Sequence, residues 1–345
     1  ERIRLKEEKR RLEERNSFIK DTFGRYLSDA VVQTLLESPD GLKLGGEKRQ
    51  VTILMSDLRG FSPLAESLKP EQVVAMLNRY FEVMIDIVVK FGGTIDELIG
   101  DSMLVMFGAP LRGENDAQRA VACAVAMQLG LDKVNERNRR EGLPTIAMGV
   151  GINTGQVVVG NIGSQKRAKY GIVGSHVNLA SRIESRTIGG QVLIAESTLQ
   201  QCESILDVSE PIDFNAKGFE KPIRVREVHG IGGEYNLHLP ARNLGLATPS
   251  EPVPVRYSVV SQGEFDDAFR TGEIVELSPR GAAIRSDSPP DLAASLKIQI
   301  AAEGDETTFK DVYGKVMESA TADCFVVSFT SLPPEVRAHF ESLLA

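Results

Sequence analysis

Apolar positions follow different periods in different parts of this chain. Near the N-terminus Leu5, Leu12 and Ile19 recur every seven residues among dense charge, which predicts a short parallel coiled-coil helix within residues 1–46. The intervening seam positions are polar, so a single solvated helix remains an open alternative. Turn-forming residues at 38–41 end the helical pattern.

From residue 47 to residue 230, short apolar runs alternate with segments of helical period. Strands are predicted at residues 51–55, 94–99, 103–107, 146–153, 157–160, 192–195, 212–214 and 223–228, and helices at 70–91, 114–138 and 177–186. Pro70 begins one of these helices, and Gly92 and Gly93 follow its end. This βαββαβ order with added strands predicts an α+β fold, a two-layer sandwich of the ferredoxin-like kind.

The last third of the chain carries only short strand patterns. Residues 231–254 are rich in Gly and Pro and predict a linker. Strands are then predicted at 257–260, 272–277, 282–285, 296–300, 312–316 and 325–329, with a helix at 334–344. Many short strands separated by turns predict a small antiparallel β-barrel over residues 255–345.

Composition and charge narrow the classes of function. The 345 residues carry a formal net charge of −8, which argues against nucleic acid as a partner. Cys123, Cys202 and Cys324 are far apart, which predicts neither disulfides nor a zinc site and is typical of a reducing cytosol. Apolar runs fall far short of the about 20 residues that a membrane helix needs.

The chain begins without Met inside a helical pattern. We therefore expect a piece of a longer cytoplasmic protein, whose upstream part holds a sensor domain and tethers it to a membrane. A helix that leads from such a sensor into the next domain is a natural route for a signal.

Two aspartates stand where apolar runs end. Asp57 follows the strand predicted at 51–55, and Asp101 lies at the tip of the predicted hairpin 94–107. A carboxylate beside a buried strand needs a partner, and paired hard oxygen ligands suit Mg²⁺ or Mn²⁺. Two such ions can activate an attacking oxygen and neutralise a polyphosphate. Taken singly, each Asp could equally cap a turn.

The sequence lacks two other common phosphate-binding motifs, the P-loop and the dinucleotide-binding glycine motif. The sequence contains no GxxxxGK[ST] loop. Gly149, Gly151 and Gly155 miss the dinucleotide-binding spacing by one residue and lie inside predicted strands, so they are interpreted as structural.

Four segments in order resemble the class III nucleotide cyclase catalytic domain and its preceding transducer helix. They are FGRYLS at 23–28, SDLRGFS at 56–62, GG at 92–93 with IGD at 99–101, and GSHVNLASR at 174–182. The resemblance covers residues from about 18 to 230. It implies a head-to-tail homodimer with two Mg²⁺ or Mn²⁺ ions in each active site at the interface.

The resemblance implies a role for individual residues in that reaction. Asp57 and Asp101 of one chain would hold the metals while a ribose 3′-oxygen attacks the α-phosphate and pyrophosphate leaves. From the other chain, Arg182 would stabilise charge on the α-phosphate and Asn178 would orient the ribose. By themselves, Asn178 and Arg182 are four residues apart and could form a solvated helix face.

The same resemblance implies groups that bind the other phosphates. The backbone amides of Leu58, Arg59, Gly60 and Phe61 would cradle them at the start of a helix. Lys217, in the segment AKG, resembles the phosphate-binding lysine of the family, although a solvated lysine is an equal interpretation.

Two positions that read the base depart from the adenylate cyclase pattern. Such enzymes generally place Lys where Glu97 stands and Asp or Thr where Gly171 stands. A carboxylate can accept hydrogen bonds from guanine N1–H and the 2-amino group together. The pair predicts GTP as substrate and cyclic GMP as product. The alternatives are ATP with cyclic AMP, or a Glu97 that faces solvent beside a loosely read base.

The C-terminal barrel resembles a PilZ domain, less closely. The segment ELSPRG at 276–281 is similar to the D/N-x-S-x-x-G turn of that family. The RxxxR pair that grips cyclic di-GMP is missing, and Arg256 stands alone, so cyclic di-GMP binding is in doubt. A plain β-turn in an interaction module is the favoured interpretation.

Three classes of function therefore remain open. The first is a nucleotide cyclase, the second a catalytically silent nucleotide-binding regulator, and the third a scaffold that acts through its helix and barrel. The intact set of Asp57, Asp101, Asn178 and Arg182 favours the enzyme.

Overall fold

The computed structural model describes residues 10–11, 31–32, 43–216, 218–219, 221–241, 244–261, 264–265, 268–291, 294–302, 305–321 and 323–344. Most of the predicted helix at 1–46, its coiled-coil pattern included, lies outside these residues and stays a prediction. Residues 10–11 and 31–32 are helical, and Val31 and Val32 are buried. Within the described ranges, no helix is both long and apolar enough to cross a membrane.

The first part of the chain alternates strands and helices. In chain order they are β1 (Gly45–Leu58), α1 (Phe61–Ser67), α2 (Pro70–Lys90), β2 (Thr94–Ile99), β3 (Ser102–Phe107), α3 (Asp116–Arg140), β4 (Met148–Ser164), β5 (Arg167–Val173), α4 (Ser175–Glu184), β6 (Val192–Ala195), α5 (Glu196–Leu199), a 3₁₀ turn (Glu203–Ile205), β7 (Leu206–Val208), β8 (Ile212–Phe214), β9 (Ile223–Ile231) and β10 (Leu237–His238).

These strands form one sheet in the order β10-β9-β6-β4-β1-β3-β2, with β5, β7 and β8 paired at its sides. The inner order β4-β1-β3-β2 is antiparallel and is that of a ferredoxin-like sandwich, as predicted. Helix α2 buries Met76, Tyr80, Met84 and Val88, which recur every four residues, against one face of the sheet together with α3. Helix α4 packs against the other face.

Strand β4 corrects one sequence expectation. Separate strands were expected at 146–153 and 157–160, but β4 is continuous and pairs with β1 from Gly45↔Asn161 to Leu58↔Met148. A Cβ on Gly155 would lie 2.2 Å from the His176 ring, so this glycine lets α4 approach the sheet and does not end the strand. Strand β5, which the sequence analysis missed, forms a hairpin with the far end of β4.

The second part of the chain is the expected small barrel. Its elements are β11 (Val253–Ser261), β12 (Glu264–Phe265), β13 (Arg270–Ser278), β14 (Gly281–Arg285), β15 (Ser295–Ala302), β16 (Asp305–Thr321), β17 (Cys324–Ser331) and α6 (Pro334–Leu343). The strand order β11-β13-β14-β17-β16-β15 closes because β11 also pairs with β15. Tyr257, Phe325 and Phe340 fill its core.

The predicted linker at 231–254 carries some structure of its own. Strand β10 pairs with β9, and Ala247 forms a bridge with Leu277 of the barrel. The segment predicted as a linker is therefore anchored at both ends by backbone hydrogen bonds.

Candidate active site

The sheet brings the two aspartates together. Asp57 lies near the end of β1, and Asp101 lies in the turn between β2 and β3, which pairs with β1. Ser102 Oγ donates to Asp57 Oδ2 at 2.6 Å, and the Leu58 N–H donates to Asp101 Oδ2 at 3.2 Å. Each carboxylate is thus oriented by a residue next to the other, and together they form one acidic corner, which we call the metal corner.

The electrostatics of the metal corner fit a divalent cation. Burial raises the pKa of Asp101, and the negative charge of Asp57 raises it further. Two carboxylates that repel each other in a partly buried site are stabilised by a hard cation. Among the described residues no group of three or more His, Cys, Asp or Glu side chains forms a metal cluster. Mg²⁺ is commonly held by one or two carboxylates together with water and substrate phosphates, so this pair suits it.

Arg59 is a site residue whose side chain the sequence analysis missed. Its guanidinium donates to Asp57 Oδ1 at 2.7 Å and also pairs with Glu184 at the end of α4. Arg59 and Glu184 are largely buried, so the pair joins β1 to α4 with little solvent screening. The motif SDLRGFS marked the position, but the sequence carried no signal for its distant partner Glu184.

The turn that follows Asp57 was predicted to cradle phosphates. Gly60 has φ 66°, a left-handed conformation that suits glycine, and α1 starts directly after it. The Arg59 N–H donates to Ala147 O at 2.7 Å, and the Leu58 N–H is bonded to Asp101. Two of the four predicted amides therefore already have intramolecular partners, and the phosphate-binding role of this turn stays a prediction.

The structure does not bring Asn178 and Arg182 to the metal corner of their own chain. Both lie exposed on one face of α4, whose opposite face buries Ala180 and Ile183. Side chains in this position are free to reach a second molecule. Lys217, the predicted phosphate-binding lysine, lies outside the described residues.

The two positions predicted to read the base, Glu97 and Gly171, lie on β2 and β5, which approach each other without pairing. A β-bulge in β2 turns Asp96 inward, with 3% of its side chain exposed, while Glu97 stays 49% exposed. Lys169 of β5 donates to Asp96 at 2.7 Å and to Glu97 at 2.9 Å. A Cβ on Gly171 would lie 2.4 Å from Asp96 Oδ1, so a side chain at this position would require the Asp96 carboxylate to move. We call these four residues the base pocket.

Asp96 and Lys169 were also missed from the sequence. A signal existed for Lys169, because it lies two residues before Gly171 and so shares its face of a strand. Because strand β5 itself was not predicted, the alternation that places Lys169 on the same face as Gly171 was not recognised. The inward position of Asp96 depends on a bulge, and nothing local in the sequence marks it. Burial raises the pKa of Asp96, and the Lys169 ammonium counteracts this.

The catalytic part of the chain is similar to proteins of known family. Residues 46–229 match the adenylate and guanylate cyclase catalytic domain family. The chain belongs to this family. The match ends before the barrel begins, so membership rests on the first part of the chain.

Some of the similar proteins are named guanylyl cyclases, and others are named adenylyl or adenylate cyclases. The solved structure of the guanylyl cyclase Cya2 is 51% identical, with a TM-score of 0.56, and covers 57% of this chain and 100% of that chain. That of the adenylyl cyclase CyaB from P. aeruginosa is 34% identical, with a TM-score of 0.53, covering 56% of this chain and 100% of that one. Adenylate cyclase 1 of Rhizobium meliloti (strain 1021) is 32% identical over 212 residues, 61% of this chain and 32% of its own length. The chain thus spans about a third of that curated relative.

The resemblance of the barrel to a PilZ domain stays a prediction. Within the segment 276–281, Ser278 Oγ accepts hydrogen bonds from the N–H groups of Arg280, at 3.0 Å, and Gly281, at 3.2 Å. This is a serine-stabilised turn between β13 and β14. Arg256 contacts Gln299 and lies over the Phe269 ring. The turn has a sufficient structural explanation without a ligand.

Proposed function

We propose that the chain is a guanylate cyclase, which converts GTP to 3′,5′-cyclic GMP and pyrophosphate at the interface of a homodimer. The observation that carries the choice of GTP is the base pocket, where Lys169 donates to both Asp96 and Glu97 and Asp96 lies against Gly171. A side chain at position 171, which the adenylate cyclase pattern has, would require the Asp96 carboxylate to move away from Lys169.

The chemistry of guanine suits this arrangement. Glu97 Oε2 accepts from Lys169, which leaves Oε1 to accept from guanine N1–H and its 2-amino group. Adenine offers no donor at N1, so Glu97 would gain no hydrogen bond from it and would keep only Lys169 and solvent as partners. A hydrogen bond to a charged group contributes about 1.5–3 kcal/mol, enough for about ten- to a hundredfold discrimination.

The metal corner would hold two Mg²⁺ or Mn²⁺ ions through Asp57 and Asp101. When bound, these ions would lower the pKa of the ribose 3′-hydroxyl and neutralise the polyphosphate. Ser102 and the Leu58 N–H orient the two carboxylates. Arg182 of the second chain would stabilise negative charge on the α-phosphate, and its Asn178 would hold the ribose.

An exposed apolar strip supports the homodimer. Val158 of β4 and Val173 of β5 are cross-strand neighbours and are 38% and 55% exposed. Ile162, further along the same hairpin, is also exposed. Adjacent exposed aliphatic residues on a projecting hairpin are typical of a protein interface. The outward position of Asn178 and Arg182 supports a site completed by a second copy.

A product assay tests the proposal. Purified protein is offered GTP and ATP separately with Mn²⁺, and each product is identified by mass while kcat/KM is measured. We expect cyclic GMP as the main product, with kcat/KM for GTP at least about tenfold higher than for ATP. An equal or higher kcat/KM for ATP would contradict the substrate, while leaving the cyclase chemistry intact.

Cyclic AMP synthesis is the second candidate, because curated relatives at 30–32% identity are named adenylate cyclases. Substitution Glu97→Lys separates the two. A GTP-specific pocket loses activity on GTP when the carboxylate becomes an ammonium, whereas a loosely read base is little affected. Failure to form either product, in a chain shown to be dimeric, would favour the silent regulator.

A further inference from the structure

The barrel contacts the catalytic unit at the metal corner. Lys315 of β16 is 6% exposed, and its Nζ donates to Thr187 O at 2.9 Å and to Ser185 O. These two carbonyl groups follow the end of α4, the helix that bears Asn178 and Arg182. A side-chain donor at the C-terminal end of a helix satisfies carbonyl groups that have no partner within the helix.

A second contact lies on the neighbouring strand of the barrel. Tyr313 pairs with Ser331 and Gly314 with Phe329, so Thr330 is an extra residue that forms a β-bulge in β17. A Cβ on Gly60 would lie 2.2 Å from Thr330 O, which places the barrel backbone directly against the turn after Asp57. The bulge thus meets the turn at the one glycine that can accept so close a neighbour.

Between these contacts lies an open cleft of about 310 Å³. Asp57 and the turn that follows it form one wall of this cleft, together with Ser185, and barrel strands form the other. The lining residues are Asp57, Leu58, Arg59, Gly60 and Ser185 on the first wall, and Ser295, Leu296, Tyr313, Gly314, Lys315 and Thr330 on the second. The barrel therefore covers one side of the corner where metal and triphosphate would have to bind.

We infer that the barrel is an autoinhibitory cover, held on the metal corner by Lys315 and by the Thr330 bulge. This inference rests on the proposed cyclase function. With the barrel docked, the turn at Gly60 and the end of α4 are held by barrel contacts, so rearrangement of this turn to bind a triphosphate is opposed. Release of the barrel, by a ligand or partner of its outer surface, would then raise activity.

Substitutions at Lys315 in the full chain test this inference. Lys315→Met keeps the length of the side chain and removes the donor, and Lys315→Ala also removes its packing. Both leave the two carbonyl oxygens without the Nζ donor, and we expect kcat with GTP to rise about threefold or more. Lys297→Met is the matched control, because Lys297 lies on the adjacent strand β15 and pairs with Asp311 of the barrel.

Hydrogen exchange of the same proteins provides a readout that is independent of catalysis. We expect peptides covering residues 57–61 and 184–187 to lose protection in both Lys315 variants and not in Lys297→Met. Unchanged protection in both variants would show that the contact is absent. Lost protection with unchanged or lower kcat would show that the contact does not inhibit.

Melting temperatures of all proteins establish that the variants fold. If no protein makes product, the proposed function fails, and affinity for Mn²⁺ with a non-cyclisable GTP analogue replaces kcat as the readout. Tighter binding by the Lys315 variants than by the parent then supports the cover, and equal binding overturns it.

Discussion

A cation pairs with two carboxylates both beside the metal corner and in the base pocket, yet the two cations differ in surroundings. Beside the metal corner the largely buried Arg59 joins Asp57 to Glu184, and the barrel lies over one side of the site. In the base pocket the half-exposed Lys169 joins Asp96 to Glu97, and one carboxylate points to solvent. A buried guanidinium fixes the geometry of its partners, whereas a lysine at the surface only biases it. Changes in the metal corner should therefore have larger effects.

The largest expected effect comes from the carboxylates of the metal corner. Substitution Asp57→Asn removes a charge that would bind metal, and we expect kcat to fall by about a thousandfold, equivalent to several kcal/mol of transition-state stabilisation. Asp132→Asn, at an exposed position of α3, should leave kcat unchanged. Product formation is measured over a range of Mn²⁺ concentrations. Activity restored at high Mn²⁺ would show that Asp57 tunes affinity and is not essential.

Substitution of Arg59 tests whether its buried guanidinium supports metal binding by orienting the Asp57 carboxylate. Arg59→Lys keeps the charge and loses the planar fork that reaches Asp57 and Glu184 together, so we expect apparent Mn²⁺ affinity to fall about 10–100-fold. Arg79→Lys is the control, because Arg79 is a largely buried bridge between Asn138 and Glu141, away from the site. A similar loss of Mn²⁺ affinity in both variants would indicate general destabilisation, which melting temperatures would also detect.

Substitution of Lys169 should have a smaller effect, which is confined to the preference for GTP over ATP. Lys169→Gln removes the charge that positions Glu97, and we expect the ratio of kcat/KM for GTP to that for ATP to fall by about tenfold or less, because the pair is half exposed. Lys166→Gln, in the exposed turn between β4 and β5, should preserve the ratio. An unchanged ratio in Lys169→Gln would mean that Glu97 is held in place without it.

The smallest expected effect is the pH dependence of barrel docking at the metal corner. Burial, followed by the positive charges of Arg59 and Arg186, lowers the pKa of Lys315 to about 7, while Asp57 opposes the shift. The docked barrel therefore binds fewer protons than the released one between about pH 7 and the ordinary lysine pKa of about 10.4, so docking strengthens as pH rises through this range. We expect the kcat ratio of Lys315→Met to the parent to increase from pH 7 to pH 9, equally for GTP and ATP. A constant ratio would contradict this linkage.

Sequence reasoning succeeded where the determining pattern is local. Helix α2 follows from its apolar period between Pro70 and Gly92, and the hairpin that carries Asp101 from two short apolar runs around a glycine. The barrel strands and closing helix were likewise found at nearly their observed positions. Two predictions about strands failed: β4 was predicted as two strands separated near Gly155, and β5 was not predicted. In both places the apolar pattern is weak and Gly residues have roles in close packing.

By itself, then, the sequence determined the order of elements, the family, the two aspartates of the metal corner and the unusual pair Glu97 and Gly171. Only the tertiary structure decided that Arg59 meets Glu184, that Lys169 meets Asp96 and Glu97, and that Lys315 reaches the end of α4. The physical reason is that periodicity depends on neighbours a few residues apart. An ion pair between distant strands depends on register, bulges and domain contacts, which every element of the fold sets together.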